Sequence, residues 1–484
     1  MQEGAIETLN LISFYRIDVS DPVVEEKKVS AEVTLDGEKK FKLIFSYQES
    51  IDDIPNIQNL ARLMAVMPLV NYGLFTENIF LDFPLSNEDI KYIKDNMDII
   101  SRDIFVNKIC RRRADFIKKE YIPNENEMVP ENAKTRAVIH TKGTSNEKFN
   151  IQADKNKCTI LSSGGKESLL TYGLLNELGF KVFPIFFNES GGHWRTALPA
   201  YKSFSKNDKN TKKVWSNIDR FYLFMLDNLK IIRSDHRKIK SDTYPIRLFI
   251  FGPYIFSMLP LIVKHSIGNI LLGSEYDDPR ANYYFNGIKH YFGIYDQSVD
   301  FDVYNTDYFK SKGLDIRQWS IVRPITGLIV ERILTQRYPE LYKLQRSCHS
   351  CHFEKGEIVP CGTCTKCLGV MSFIIANGAD PRIANYKEEH IKSLADNLKK
   401  TTLRLDPDER EHTFYLLSKK GIDIEGKEHP HVEMLHFDDR NSPIDHIQGN
   451  FKKVFDIYKN YVKGAVILKG NEFVPFNDFF SKIQ

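Results

Sequence analysis

The chain has 484 residues, 42% hydrophobic and 27% charged, with a formal net charge of +3. That length allows two or three domains with a sizeable core, and the composition is that of a globular protein. The near-neutral balance argues against bulk nucleic-acid binding and leaves only local clusters such as Arg111-Arg112-Arg113, which reads first as a solvated helix face.

The opening stretch, Met1 to Glu7, lacks the basic and apolar regions of a secretion signal. Residues 246–263 approach membrane-spanning length. Arg247, Gly252, Pro253 and Pro260 instead make this stretch a buried, interrupted helix. A cytoplasmic location with no membrane segment is the expectation. Seven cysteines occur, and five fall between Cys348 and Cys367. In that setting the clustering favours metal over disulfides.

Residues 1–150 read as an N-terminal accessory domain of α+β type. Residues 31–46 give two strands around the turn Asp36-Gly37, a hairpin signal. Residues 57–117 are helical in pattern, with Leu60, Leu63, Met64 and Met67 on one face. Residues 123–147 are polar and turn-rich at both ends, as expected for a linker or surface excursion.

From Lys157 the pattern alternates between strand and helix. Residues 158–161 read as a buried strand, 168–178 as a helix, 181–187 as a strand, 246–265 as a helix and 269–272 as a strand. Such alternation implies an α/β fold with a doubly wound parallel sheet over residues 151–380, whose ligands bind beyond the carboxyl ends of the strands. Three loops fall there. One holds Ser163-Gly164-Gly165-Lys166-Glu167-Ser168, one Gly191-Gly192-His193-Trp194-Arg195, and one Gly273 to Arg280, with Asp277 and Asp278. The first is a glycine turn running directly into a helix. There unpaired backbone N–H groups and the positive end of the dipole suit phosphate. The serines add donors and Lys166 a positive charge.

Cys361, Cys364 and Cys367 form a C-x-x-C-x-x-C run, and one upstream residue completes a tetrahedral site. Cys351 is the first choice for that fourth ligand, then Cys348, then His349 or His352. Four thiolates suit a closed, structural zinc; an iron–sulfur cluster is the alternative. Cys110 and Cys158 read as ordinary buried residues. Residues 381–484 form a C-terminal extension expected to be helical. Its segments 387–399 and 451–461 carry helical patterns, and an aromatic cluster at 473–480 is expected to dock on the core.

The loop from Ser163 to Ser168 resembles the S-G-G-x-D-S loop of the N-type ATP pyrophosphatases, the PP-loop (HUP-like) superfamily. Followed by Cys351, Cys361, Cys364 and Cys367, it resembles the cyano-deazaguanine synthase family (QueC) over roughly residues 157–375. In its larger size the chain is similar to QueC-like proteins of bacterial antiphage operons, the Qat system and type IV CBASS. Glu167 stands where that family usually has aspartate, and the order Asp277-Asp278-Pro279-Arg280 differs from the family's.

The resemblance implies an ATP-dependent C–N ligase using ATP, Mg2+ and a structural Zn2+. Such an enzyme adenylates the carboxylate of a carboxy-deazaguanine-type small molecule, releases pyrophosphate, and passes the acyl group to an amine. In an antiphage setting that amine belongs to an operon-encoded partner protein; ammonia and nitrile formation is the biosynthetic alternative. Ser163, Gly164, Gly165 and Ser168 would hold the phosphates together with Lys166 and Glu167, the last two acting catalytically. His193, Arg195, Asp277, Asp278 and Arg280 would contact the substrate. A homodimer is compatible with this reading. A tRNA-modifying PP-loop enzyme and a zinc-stapled binding module with a degenerate nucleotide site are the competing readings.

Overall fold

A computed structural model describes residues 9–111, 115–239, 241 and 243–482. The stretch Met1 to Glu7 and two arginines of the basic triplet, Arg112 and Arg113, lie outside them. Val29, Ala31, Val33 and Leu35 alternate toward the interior, as do Leu43, Phe45 and Tyr47 opposite them. This period of two makes an antiparallel group of β1 (Phe14–Val19), β2 (Val23–Glu25), β3 (Lys28–Leu35) and β4 (Lys39–Tyr47). The β3–β4 turn falls at Asp36-Gly37, with φ of 49° and 75°, the left-handed geometry that a tight hairpin requires.

Helix α1 (Ile57–Val66) then leads to β5 (Thr76–Leu81), parallel to β1. Helix α2 (Asn87–Ile104), started by a Ser86–Asp89 capping box, precedes β6 (Val138–Thr141), parallel to β5. The linker expected at 123–147 therefore contains a strand. At four residues it is too short to show alternation, and its hydrogen bonds come from β5.

The alternating region follows: β7 (Asp154–Ser162), α3 (Lys166–Glu177), β8 (Lys181–Asn188), α4 (Trp194–Asn207), β9 (Lys212–Ser216), α5 (Ile218–Asn228), α6 (Phe251–Lys264) and β10 (Ile267–Leu271). After a short hairpin, β11 (Tyr284–Phe285) and β12 (Ile288–Lys289), come α7 (Val299–Ser311) and β13 (Arg317–Trp319). Strands pair in the order β13-β10-β7-β8-β9, all parallel. Strand order reverses beside β7, which makes the loops after β7 and β10 the switch point where open α/β sheets bind ligands. Strand β9 also pairs antiparallel with β4, joining residues 14–141 and 154–319 in one 11-stranded, mostly parallel sheet with a shared hydrophobic core.

The helix expected at 246–265 begins only at Phe251. Asn71 Oδ1 accepts from the N–H groups of Leu248 (2.9 Å) and Phe249 (2.8 Å), and Asp296 Oδ2 from Ile250 (2.6 Å) and Phe251 (2.7 Å). These remote side chains capture the donors and hold residues 248–250 out of the helix.

Beyond the sheet lie α8 (Gly327–Arg337), α9 (Pro339–Tyr342), the hairpin β14 (His352–Glu354) and β15 (Glu357–Val359), and α10 (Thr365–Ala376). The expected helix at 387–399 is two pieces, α11 (Glu388–Lys392) and α12 (Leu394–Lys400), followed by α13 (Pro407–Lys419). The extension is not helical throughout. It also holds a three-stranded sheet of β16 (Leu435–Phe437), β17 (Ala465–Lys469) and β18 (Glu472–Pro475), with α14 (Val454–Tyr458) and α15 (Phe479–Lys482). Phe479 packs on Phe437 and Phe455, joining this aromatic cluster to the core around β7 and β10. Among the described residues no helix is long and apolar enough to cross a membrane.

Candidate functional site

The site grows from the end of β7. Gly164 has a φ of +74°, and a Cβ there would lie 2.7 Å from the Thr196 carbonyl oxygen at the start of α4. Only glycine fits a left-handed turn pressed so closely on backbone. Gly165 caps α3 with extended backbone, leaving the first N–H groups of that helix at the loop. Ser163 Oγ accepts from Gly165 N (3.3 Å) and lies 3.4 Å from Ser168 Oγ, whose hydroxyl donates to the Gly165 carbonyl (3.2 Å). The hydroxyls thus brace the turn.

Lys166 does not extend into the open loop. Its side chain is 5% exposed, and its ammonium donates to Glu167 Oε1 (2.6 Å) and to Glu275 Oε2. Glu275 belongs to the loop after β10. Gly273 permits the approach, since a Cβ there would lie 2.6 Å from Glu167 Cβ. The loops after β7 and β10 therefore meet across the switch point through one buried cation and two carboxylates.

That cation is outnumbered. Glu331 on α8 and Glu409 on α13 are buried close by and interact electrostatically with Lys166 and Glu275. Burial pushes Glu275 up to about 7, against the pull of Lys166. Glu331 and Glu409 rise to about 8, and Asp406 to about 7, again chiefly through burial. For Glu167, Lys166 and Lys366 outweigh burial and hold the carboxyl below its usual range. Burial thus keeps Glu331 and Glu409 largely protonated at pH 7, and a divalent cation bound here would favour the ionised carboxylates over the protonated ones. Glu275, Glu331, Asp406 and Glu409 carry no motif in the sequence; only the folding of α8 and α13 onto the loop reveals them.

After β8, Glu189 is buried and accepts from the Tyr254 hydroxyl. Arg247, also buried, donates to Asp219 (3.1 Å) and lies over the Tyr244 ring at 3.7 Å. His193 Nε2 sits 2.9 Å from the Tyr244 hydroxyl. Although 46% of its side chain is exposed, burial of the rest and the Arg247 charge lower its pKa. The imidazole is neutral at pH 7. His193 and Trp194 begin α4 rather than extending a free loop, and Arg195 Nη1 donates to the Cys351 carbonyl (3.3 Å).

Not all the predicted substrate residues converge. Asp277 lines a small cavity with Tyr283, Arg323 and Arg440. Asp278 instead holds Arg280, its Oδ2 accepting from Nε (2.9 Å) and Nη2 (2.5 Å), and Arg280 also reaches Asp408 of α13 (2.7 Å). His193 and Arg195 lie apart from these, at the start of α4.

The cysteine segment adjoins the phosphate-type loop, since Arg346 N donates to the Gly164 carbonyl (3.1 Å). The sulfurs of Cys348, Cys361, Cys364 and Cys367 all lie within 4.8 Å of one another. Cys348, not the expected Cys351, completes the set. Its Sγ accepts from Ser350 N (3.1 Å) and Cys361 N (3.2 Å), while Cys351 runs into β14, whose pairing with β15 fixes the chain direction. His352 pairs with Glu354 at 3.5 Å, and the ring of His349 lies 6.5 Å from that of His193. Cys361 Sγ and Cys367 Sγ are 3.8 Å apart. A tetrahedron of 2.3 Å zinc–sulfur bonds has edges of roughly 3.8 Å, so the four cysteines fit a zinc ion. Backbone N–H groups directed at three of the sulfurs suit thiolates. No protein-family model matches the chain, and no curated protein matches it.

Proposed function

We propose that the chain is an ATP-dependent C–N ligase that adenylates a deazapurine carboxylate, releases pyrophosphate, and transfers the acyl group to an amine of a partner protein in antiphage defence. The observation that carries this reading is the glycine loop at the switch point, tied on one side to Glu275 and on the other to a four-cysteine segment. The resemblance to QueC-like PP-loop proteins supplies the substrate class.

The chemistry gives each residue a task. A carboxylate is a poor acyl donor because its oxygen would leave as oxide; esterified to AMP, it leaves readily. The α3 N-terminus and the serines would hold ATP phosphates, each well-placed donor being worth roughly 3 kcal/mol in the transition state. Glu167 and Glu275 would hold Mg2+, each having one oxygen not bound to Lys166. That ion would supply neutralisation of phosphate charge. Lys166 keeps the two carboxylates together and is a positioning residue in this scheme. His193, neutral and partly exposed, can accept a proton from an attacking amine. Zinc in the cysteine site would be structural, bracing the loop through Arg346.

The test is pyrophosphate release from ATP with carboxy-deazaguanine, with or without ammonium, partner protein or tRNA. Release with the deazapurine, together with a mass increase on the partner, is the expected result. Free nitrile would indicate the biosynthetic reaction, and release only with tRNA a base-modifying one. No ATP binding and no release would sink the enzyme reading in favour of a zinc-stapled binding module.

A further inference from the structure

A second group of metal-ligating side chains lies in the C-terminal extension, apart from the cysteines. Asp408 is in the first turn of α13, and His429 and His431 follow it on the segment that returns toward β16. Their ligand atoms lie within 4.8 Å of one another. His429 Nδ1 is 3.6 Å from Asp408 Oδ1, and His431 Nε2 is 3.2 Å from Asp408 Oδ2. Bonds of 2.0–2.1 Å at a tetrahedral ion give ligand–ligand edges of roughly 3.3 Å, so both separations match shared coordination. We propose that Asp408, His429 and His431 form a binding site for a divalent transition metal of the zinc class.

Three features beyond the spacing support it. His429 Nε2 lies 2.9 Å from Glu411 Oε2, so this carboxylate fixes the ring with Nδ1 turned toward Asp408. A carboxylate behind a histidine in this way is the usual outer shell of a zinc-bound imidazole. His431 is held by stacking on Phe473 of β18, with ring centroids 4.6 Å apart. All three side chains are partly exposed, between 14% and 24%, so an ion can enter from solvent.

Among the described residues, Arg280 is the cation that bonds Asp408. It donates to Asp408 Oδ2 at 2.7 Å, but Asp278 grips it from the other side. His429 faces Oδ1 and His431 faces Oδ2, so Asp408 would hold the ion through both oxygens while Oδ2 keeps its bond to the guanidinium. Two imidazoles and one carboxylate favour zinc over magnesium, which prefers oxygen, and the absence of sulfur from the set disfavours copper(I). Such an ion would fasten α13 and residues 429–431 to the loop after β10 through Arg280. The site is independent of the adenylation reading.

The test is metal stoichiometry of tag-free, full-length protein, measured by elemental analysis after equilibration with Zn2+ and gel filtration. Wild type should retain two zinc ions per chain, and the H429A/H431A double variant one. Glu411→Gln should weaken the second site about 10-fold in a Zn2+ titration, as expected for loss of an outer-shell carboxylate. Co2+ substitution gives a readout that does not depend on variants folding. The cysteine site should show thiolate charge transfer, and a second equivalent should add only weak visible bands without it. Saturation of folded wild type at one ion, or a second ion retained unchanged in H429A/H431A, would overturn the proposal.

Discussion

Two buried lysines set the switch-point edge of the molecule apart from its scaffold. Lys166, beneath the switch point of the parallel strands, faces Glu167 and Glu275, with Glu331 and Glu409 close behind. Lys312, at the junction with the N-terminal half, meets Asp89 at 2.9 Å and the Ser86 hydroxyl at 3.0 Å. The second group is balanced, one cation to one anion, and its polar atoms serve the α2 capping box. The first crowds four carboxyl groups about one lysine, and burial keeps Glu331 and Glu409 largely protonated at pH 7. Burying so many carboxyl groups costs stability, and their place at the carboxyl edge of the parallel strands is where a ligand can offset that cost. The N-terminal half joins this edge through the β4–β9 pairing and shares a hydrophobic core with it.

Substitutions at the two lysines give the sharpest contrast. Lys166→Ala should abolish ATP-dependent pyrophosphate release, by about 1000-fold or more, because Glu167 and Glu275 lose their common partner beside the phosphate loop. Lys312→Ala should cost about 3–5 kcal/mol of stability by leaving Asp89 uncompensated. Turnover per folded molecule should be unchanged. If Lys312→Ala impaired turnover at full folding, the division between scaffold and active edge would fail.

At the cysteines, Cys348→Ser should remove most of the zinc bound by that segment, whereas Cys351→Ser should leave it, as read by metal analysis. Asn71→Ala should cost about 2 kcal/mol by stranding the N–H groups of Leu248 and Phe249, with little effect on KM. Denaturant titration beside steady-state kinetics checks both halves of that statement.

The smallest effect concerns pH. Burial raises Glu331 and Glu409 from an ordinary 4.5 to about 8, so between those values the folded state binds more protons than the unfolded. Stability should be greatest below about pH 4.5 as far as these two groups contribute, and should fall as pH rises through about 8. Glu331→Gln should flatten this slope and raise the melting temperature at pH 9 by about 2 °C. A wild-type slope of the opposite sign between pH 5 and 9, with no flattening in the variant, would contradict the upward shift that burial gives these carboxyls.

Local patterns in the sequence carried much of this. The period of two in β3 and β4, the Asp36-Gly37 turn, the apolar runs of β7 and β8, the glycine loop opening α3 and the clustered cysteines depend on neighbouring residues, so their signals survive in one dimension. What depends on remote partners did not show. Strand β6 exists because β5 offers it an edge, α6 starts late because Asn71 and Asp296 capture its N–H groups, and the extension holds a sheet where helices were expected. The choice of Cys348 over Cys351 turned on how the chain folds back before β14, which spacing alone leaves open.

The sequence by itself determined where a phosphate-type loop and a metal-type cysteine cluster lie, because each is a contiguous motif with its own backbone chemistry. Only the tertiary structure decided what surrounds them. Glu275, Glu331 and Glu409 come from three separate elements, as do the groups that frame Asp408, His429 and His431, and no local pattern announces a buried charge whose partners lie a hundred residues away. Burial creates their altered chemistry, and burial is a property of the folded chain.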